Sequence, residues 1–118
     1  MGGGTVNALS SALEAAGWRT FHVDGKKVKD KASFLSACAK AMEFPDYFGG
    51  NWDAFEECIN ELSWAEAKGY LVVLENMGKF VEAAPSDWKT ACEIFTSAAA
   101  NWKKQKTPFC VMNAVAGC

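Results

Sequence analysis

The chain has 118 residues, half of them hydrophobic, with a net charge of −2. That length allows one domain and is enough to bury roughly two-thirds of the unfolded surface. The mild charge and scattered lysines argue against a direct nucleic-acid binder, which would carry a basic face. No stretch approaches membrane-spanning length, so no membrane partner is expected.

The first sixteen residues contain no Lys or Arg and no sustained apolar run, so no secretory signal is expected. Met1-Gly2 opens like an acylation site, but Val6 stands where Ser or Thr would be required. Gly2-Gly3-Gly4 reads as a flexible tail or a remnant of cloning. Thr5 is placed to cap a short helix in which Val6, Leu9, Leu13 and Ala16 share a face, closed by Gly17. Packing of that helix on its own domain is favoured over a contact between chains.

Arg19 to Val23 reads as a strand, followed by a turn at Asp24-Gly25. His22, the only histidine, is expected to be a structural or half-exposed strand residue. Lys26, Lys27, Lys29 and Lys31 suit a solvated turn. Asp30 or Ser33 starts the next helix, with Phe34, Leu35, Cys38, Ala41 and Met42 inward, and Phe44-Pro45 ends it.

The stretch Phe44 to Ile59, FPDYFGGNWDAFEECI, comes next. Pro45, Gly49 and Gly50 suit a turn, and Asn51 is placed to cap the following helix. Trp52, Phe55, Ile59 and Leu62 then recur at helical spacing, with Cys58 beside them, as one apolar stripe. Roughly opposite, Asp53, Glu57 and Glu61 form a row at every fourth position. Like charges so spaced cost an isolated helix roughly 0.2–0.5 kcal/mol per pair. The helix dipole favours Asp53 in the first turn but not Glu61 near the last. On pattern alone the row is either a solvated face or a docking surface for a basic partner, and the solvated face is the commoner case.

Trp64 through Lys68 form a connection, and Tyr70 to Leu74 make a continuous apolar run suited to a parallel strand covered on both faces. Glu75 terminates it and Asn76-Met77-Gly78 is a loop. A short helical turn spans Phe80 to Ala84. Pro85-Ser86-Asp87 opens the last long helix, with Ser86 as cap and a stripe of Trp88, Ala91, Cys92, Phe95, Ala98 or Ala99, and Trp102. Lys103, Lys104 and Lys106 stand at its negative end. Phe109 to Asn113 is the last strand. Helices between strands imply right-handed crossovers, hence an α/β fold with three parallel strands and about four helices, plus the extra N-terminal helix.

The wording of the central stretch, followed by the strand YLVVLE, resembles the signature of the barstar family, intracellular protein inhibitors of small secreted ribonucleases. A weaker resemblance runs from about Trp18 to Asn113, which divides the chain into residues 1–17 and a barstar-like domain over 18–118. The resemblance implies that the turn and acidic helix plug the basic active-site cleft of a ribonuclease. By position it implies Tyr47, Gly49, Asn51, Asp53 and Glu57 as binding residues. Asp53 falls on the family's key aspartate, and Glu57 keeps the charge of a second, central aspartate with one more methylene. Glu56, also placed in the binding surface, replaces an aromatic contact residue of the best-known member. Ser97 falls where that member carries a further glutamate.

The cysteines Cys38, Cys58, Cys92, Cys110 and Cys118 are far apart, with no C-x-x-C pair. Four are expected on inward faces, acting as small hydrophobes, and no metal or redox site is implied. An odd count without an export signal points to a reducing cytoplasm and no disulfide. Asp53 and Glu57 as an acid/base pair, or as holders of magnesium for a hydrolase, is a weaker alternative, because neighbours on one exposed face share the same environment. There is no Ser-His-Asp set, since one histidine must serve everything, and Gly49-Gly50 lacks the Lys and Ser/Thr of a phosphate loop. The expectation is a non-enzymatic, cofactor-free inhibitor, monomeric when free, whose partner is a small basic ribonuclease. A binding module for another basic protein is the stronger alternative.

Overall fold

Each of the three apolar runs becomes a strand, β1 (Arg19–Asp24), β2 (Tyr70–Glu75) and β3 (Phe109–Asn113), in a computed structural model that describes residues 2–45 and 50–113, with side chains from residue 8. The strands lie in the order β1-β2-β3, and both pairings are parallel. Phe21 stands beside Val72, and Val72 beside Val111. Parallel neighbours need long crossovers. Here α2 (Lys31–Ala41) and α3 (Trp52–Glu61) fill the first, α4 (Gly78–Ala83) and α5 (Pro85–Lys104) the second. Tyr70 through Leu74 are all buried, as the unbroken apolar run requires of a central strand.

The sheet separates two unequal apolar layers. Phe21, Val23, Tyr70, Val72, Leu74 and Phe109 face the main core, built with α2 to α5. At its centre Phe34 stacks on Phe80 with centroids 4.8 Å apart and meets Phe55 edge-on at 5.9 Å. Leu71 and Val73 point the other way, against Leu13, Trp18 and Met112. Leu13 belongs to α1 (Gly2–Ala15), which therefore packs on its own domain as expected. Gly69 is required by close approach: an added Cβ would lie 2.5 Å from the Trp18 ring.

Several local boundaries differ from the sequence expectation, each for a physical reason. The helix α1 begins at Gly2, so Thr5 lies inside it and is not its cap, and the glycine run is helical. Asp30 and Ser33 act together as a capping box, the Asp30 side chain accepting from the Ser33 N–H and the Ser33 hydroxyl from the Asp30 N–H. That helix ends at Ala41, before Phe44-Pro45, because Glu43 turns to φ +56°. Met77 is fully buried, so the loop after β2 is anchored, and α4 starts at Gly78. Ser86 is not the cap of α5: the helix begins at Pro85, whose fixed φ suits its first position, and Ala84 is the flanking residue. Ile94 joins the buried stripe while Cys92 is only half-buried. Lys106 lies beyond the last turn. Of the four cysteines among the described residues, Cys38 and Cys58 are buried, Cys92 is half-buried and Cys110 is exposed; none of the four forms a disulfide. The expectation of four inward cysteines fails at Cys110, which alternates outward from Phe109 on the edge strand, and Cys118 lies outside the described residues.

Candidate acidic docking face

The helix α3 is held by its apolar stripe and set at its start by one side chain. Phe55, Ile59 and Leu62 are fully buried, Cys58 nearly so, and Trp52 is half-buried. Phe55 meets the rings of Phe34, Phe44, Trp52 and Phe95, each with centroids within 6.1 Å. Asn51 adopts extended geometry, and its Oδ1 accepts from the Ala54 N–H at 2.8 Å, as an N-cap does. Just before it, Gly50 takes φ +71°, which a residue with a Cβ rarely adopts. The C-terminal end of α3 is tied to α5 as well. Trp102 donates its indole N–H to the Ile59 carbonyl at 2.9 Å, and Asn101 donates to the Asn60 side chain at 2.9 Å.

With that face fixed, the opposite one is committed to solvent. Asp53, Glu56, Glu57 and Glu61 are all exposed. Among the described residues no ion pair reaches Asp53, Glu56 or Glu57, whereas Glu43 pairs with Arg19. Asp53 sits in the first turn, and no basic residue stands in the last. The field of the row is felt by its own helix: the Cys58 thiol is pushed up, by burial first and then by Glu61 and Glu57. Past the helix end the acidity continues into a groove of about 680 Å³ lined by Glu61, Ser63, Glu66, Lys68, Tyr70 and Trp102. The Tyr70 hydroxyl is likewise pushed up, chiefly by burial and in part by Glu66.

Of the site residues anticipated from sequence, Asn51, Asp53, Glu56 and Glu57 are therefore brought together, Asn51 as cap and the three acids on the exposed side of one helix. Tyr47 and Gly49 lie outside the described residues. Ser97 is exposed on α5, one turn before Asn101, while Glu56 is one turn before Asn60. The Phe55–Phe95 and Asn60–Asn101 contacts run the same way along both helices, so Ser97 lies on the stretch of α5 that packs beside the stretch of α3 carrying Glu56.

One constellation was not legible in the sequence. Ser10 Oγ lies 3.1 Å from His22 Nε2, and His22 Nδ1 lies 3.5 Å from Glu75 Oε1. The order is that of a hydrolytic relay, but Ser10 is 5% exposed, sealed between α1 and the sheet. What the contact does is fasten α1 to β1, together with the Thr20 hydroxyl donating to Glu14 at 2.7 Å. Among the described residues no group of three or more His, Cys, Asp or Glu converges to hold a metal ion, and no helix is long and apolar enough to cross a membrane.

No curated protein sequence gives a significant match of its own. A family model described as "Barstar (barnase inhibitor)" matches residues 18–114, which takes in the whole sheet, α2 to α5 and the acidic helix. The three-stranded parallel sheet, the helices packed on it and this match over most of the chain agree, and the protein belongs to the barstar family.

Proposed function

We propose that the protein inhibits a small basic ribonuclease of the barnase type, docking the exposed face of α3 and the preceding turn into the active-site cleft. The family's description as a barnase inhibitor supports the class of partner. The observation that carries the reading is Asp53, Glu56 and Glu57 exposed together, without ion pairs among the described residues, on a rigidly packed helix. A solvated acidic helix is usually threaded with lysines or arginines at neighbouring turns. Here no Lys or Arg occurs between Lys40 and Lys68. In the docked state Asp53 and Glu57 meet cationic groups that otherwise bind RNA phosphates, Tyr47 and Gly49 add partner contacts, and Asn51 caps the helix that carries the acids. Glu56 and Ser97, at the α5 side of the face, set which ribonuclease fits. Inhibition is occlusion, and no bond of the partner is made or broken.

The test is titration of barnase and a panel of other small basic ribonucleases with the purified protein. The expected result is stoichiometric loss of ribonuclease activity for at least one of them. Full activity of every ribonuclease at large excess would refute the reading. If the protein then captured a different basic protein through Asp53 and Glu57, the face would serve a non-inhibitory binding module.

A further inference from the structure

Residues 42–45 approach α3 and residues 50–51 lead into it, and the two segments are fixed by different devices. The segment leading in is set by the Asn51 cap and Gly50. The approach, residues 42–45, has no cap of that kind, and its backbone departs from the helix at Glu43 with φ +56°. A second segment holds it. After α3 the chain reverses at Leu62, φ 47° and ψ 28°, into a 3-10 turn at Ser63–Ala65 that carries Trp64. The Trp64 indole N–H donates to the Met42 carbonyl at 3.0 Å, and Met42 is fully buried. The same indole meets the Phe44 ring edge-on at 6.1 Å, and Phe44 meets Phe55 at the same distance. Phe44 also donates its N–H to the Ala39 carbonyl at 2.9 Å, and Arg19 pairs with Glu43.

We propose that Trp64 is a positioning residue for partner binding: it clamps Met42 and Phe44 so that residues 42–45 are held in a fixed relation to the acidic face of α3 that meets the partner. This rests on the inhibitory reading above and deepens it. An ordered surface loses less conformational entropy on docking, which is gained mainly as slower dissociation. Phe44 lies between Trp64 and Phe55, so the clamp joins residues 42–45 to the core stripe of the helix that carries the carboxylates. No substitution that lacks an N–H at the ring edge reproduces it.

Trp64→Phe isolates the device, because it keeps an aromatic ring against Phe44 and removes only the donor to Met42. Two measurements are made on the free and the bound protein. In the free protein, amide exchange at residues 42–44 and 50–51 should quicken about fivefold or more, with β2 and α5 unchanged. Bound to the ribonuclease that the parent inhibits most strongly, the variant should dissociate about tenfold faster while association changes less than about twofold. A merely structural tryptophan would speed exchange throughout the chain and leave dissociation alone, and that result overturns the inference. Asp53→Ala, run alongside, separates the two claims. If Asp53→Ala loses binding but Trp64→Phe dissociates like the parent, the clamp is wrong and the inhibitory reading stands. If the parent inhibits no ribonuclease, both fall together.

Discussion

The two faces of α3 follow opposite rules although they share ten residues. On the inner face Phe55 and Ile59 are fully buried and every ring touches another ring. On the outer face Asp53, Glu56 and Glu57 touch no oppositely charged side chain among the described residues. A helix selected only for stability would exchange some of those acids for lysines. The comparison locates stability on one side of the helix and recognition on the other, and each side is open to attack separately.

The largest effect is expected on the inner face. Phe55→Ala should destabilise the fold by about 3–5 kcal/mol, since it leaves a cavity among Phe34, Phe44, Trp52 and Phe95. Denaturant unfolding measures it, and a loss below about 1 kcal/mol would mean that the ring cluster is not the core.

On the outer face the pattern inverts. Asp53→Ala and Glu57→Ala should each weaken ribonuclease binding by about 2–5 kcal/mol, a magnitude carried over from charge-pair truncations that include the barnase–barstar complex itself. Their unfolding free energies should stay within about 0.5 kcal/mol of the parent. Glu57→Ala removes a carboxylate that has like-charged neighbours at Asp53 and Glu61, so its stability change should lean favourable. Calorimetric binding and thermal unfolding of the same samples test the pair. Variants that unfold would place the carboxylates in the core, and variants that bind as the parent does would leave them a solvated face.

A smaller effect comes from the core that the inner face joins, and it is read through pH. Burial holds the Cys38 thiol far above its ordinary value. Above about pH 8.5 the unfolded chain therefore releases a proton that the folded chain keeps, and stability falls as pH rises. The slope from this thiol is about 1.4 kcal/mol per pH unit, and the contribution is complete below the unfolded value. Thermal unfolding between about pH 8 and 10 should show a shallower decline for Cys38→Ala than for the parent. Equal slopes would remove the buried thiol as the cause. Cys58 and Tyr70 shift in the same direction, so part of the slope should survive in the variant.

How much of this was legible from residues alone divides along the same physical line. The Asn51 cap, the stripe through Phe55 and Ile59, the acidic row and the fully buried run of β2 are encoded within one element, and periodicity exposes them. Long-range contacts are different. Ser10, His22 and Glu75 meet only because α1 lies across the sheet where β1 and β2 pair in register, His22 beside Val73 and Val23 beside Leu74. Trp64 reads as connection until the reversal at Leu62 returns it to Met42 and Phe44. Ser86 looks a better cap than Ala84, but Pro85 is already helical and places the boundary two residues earlier. Cys110 looks buried in a hydrophobic strand, yet β3 is an edge with one side uncovered. At the site, the resemblance supplied roles for Glu56 and Ser97, and the Phe55–Phe95 and Asn60–Asn101 contacts supplied their neighbourhood.

The central claim is that the charge of Asp53, Glu56 and Glu57 on the outer face of α3 directs docking. Stopped-flow association with the inhibited ribonuclease, followed by tryptophan fluorescence from about 50 to 500 mM salt, tests it most directly. For the parent the association rate should fall steeply with salt while dissociation changes little. For the Asp53→Asn, Glu57→Gln double variant the association rate should be lower and its salt dependence markedly flatter. An association rate in the parent that ignores salt, or a double variant that keeps the parent's salt dependence, would contradict the account.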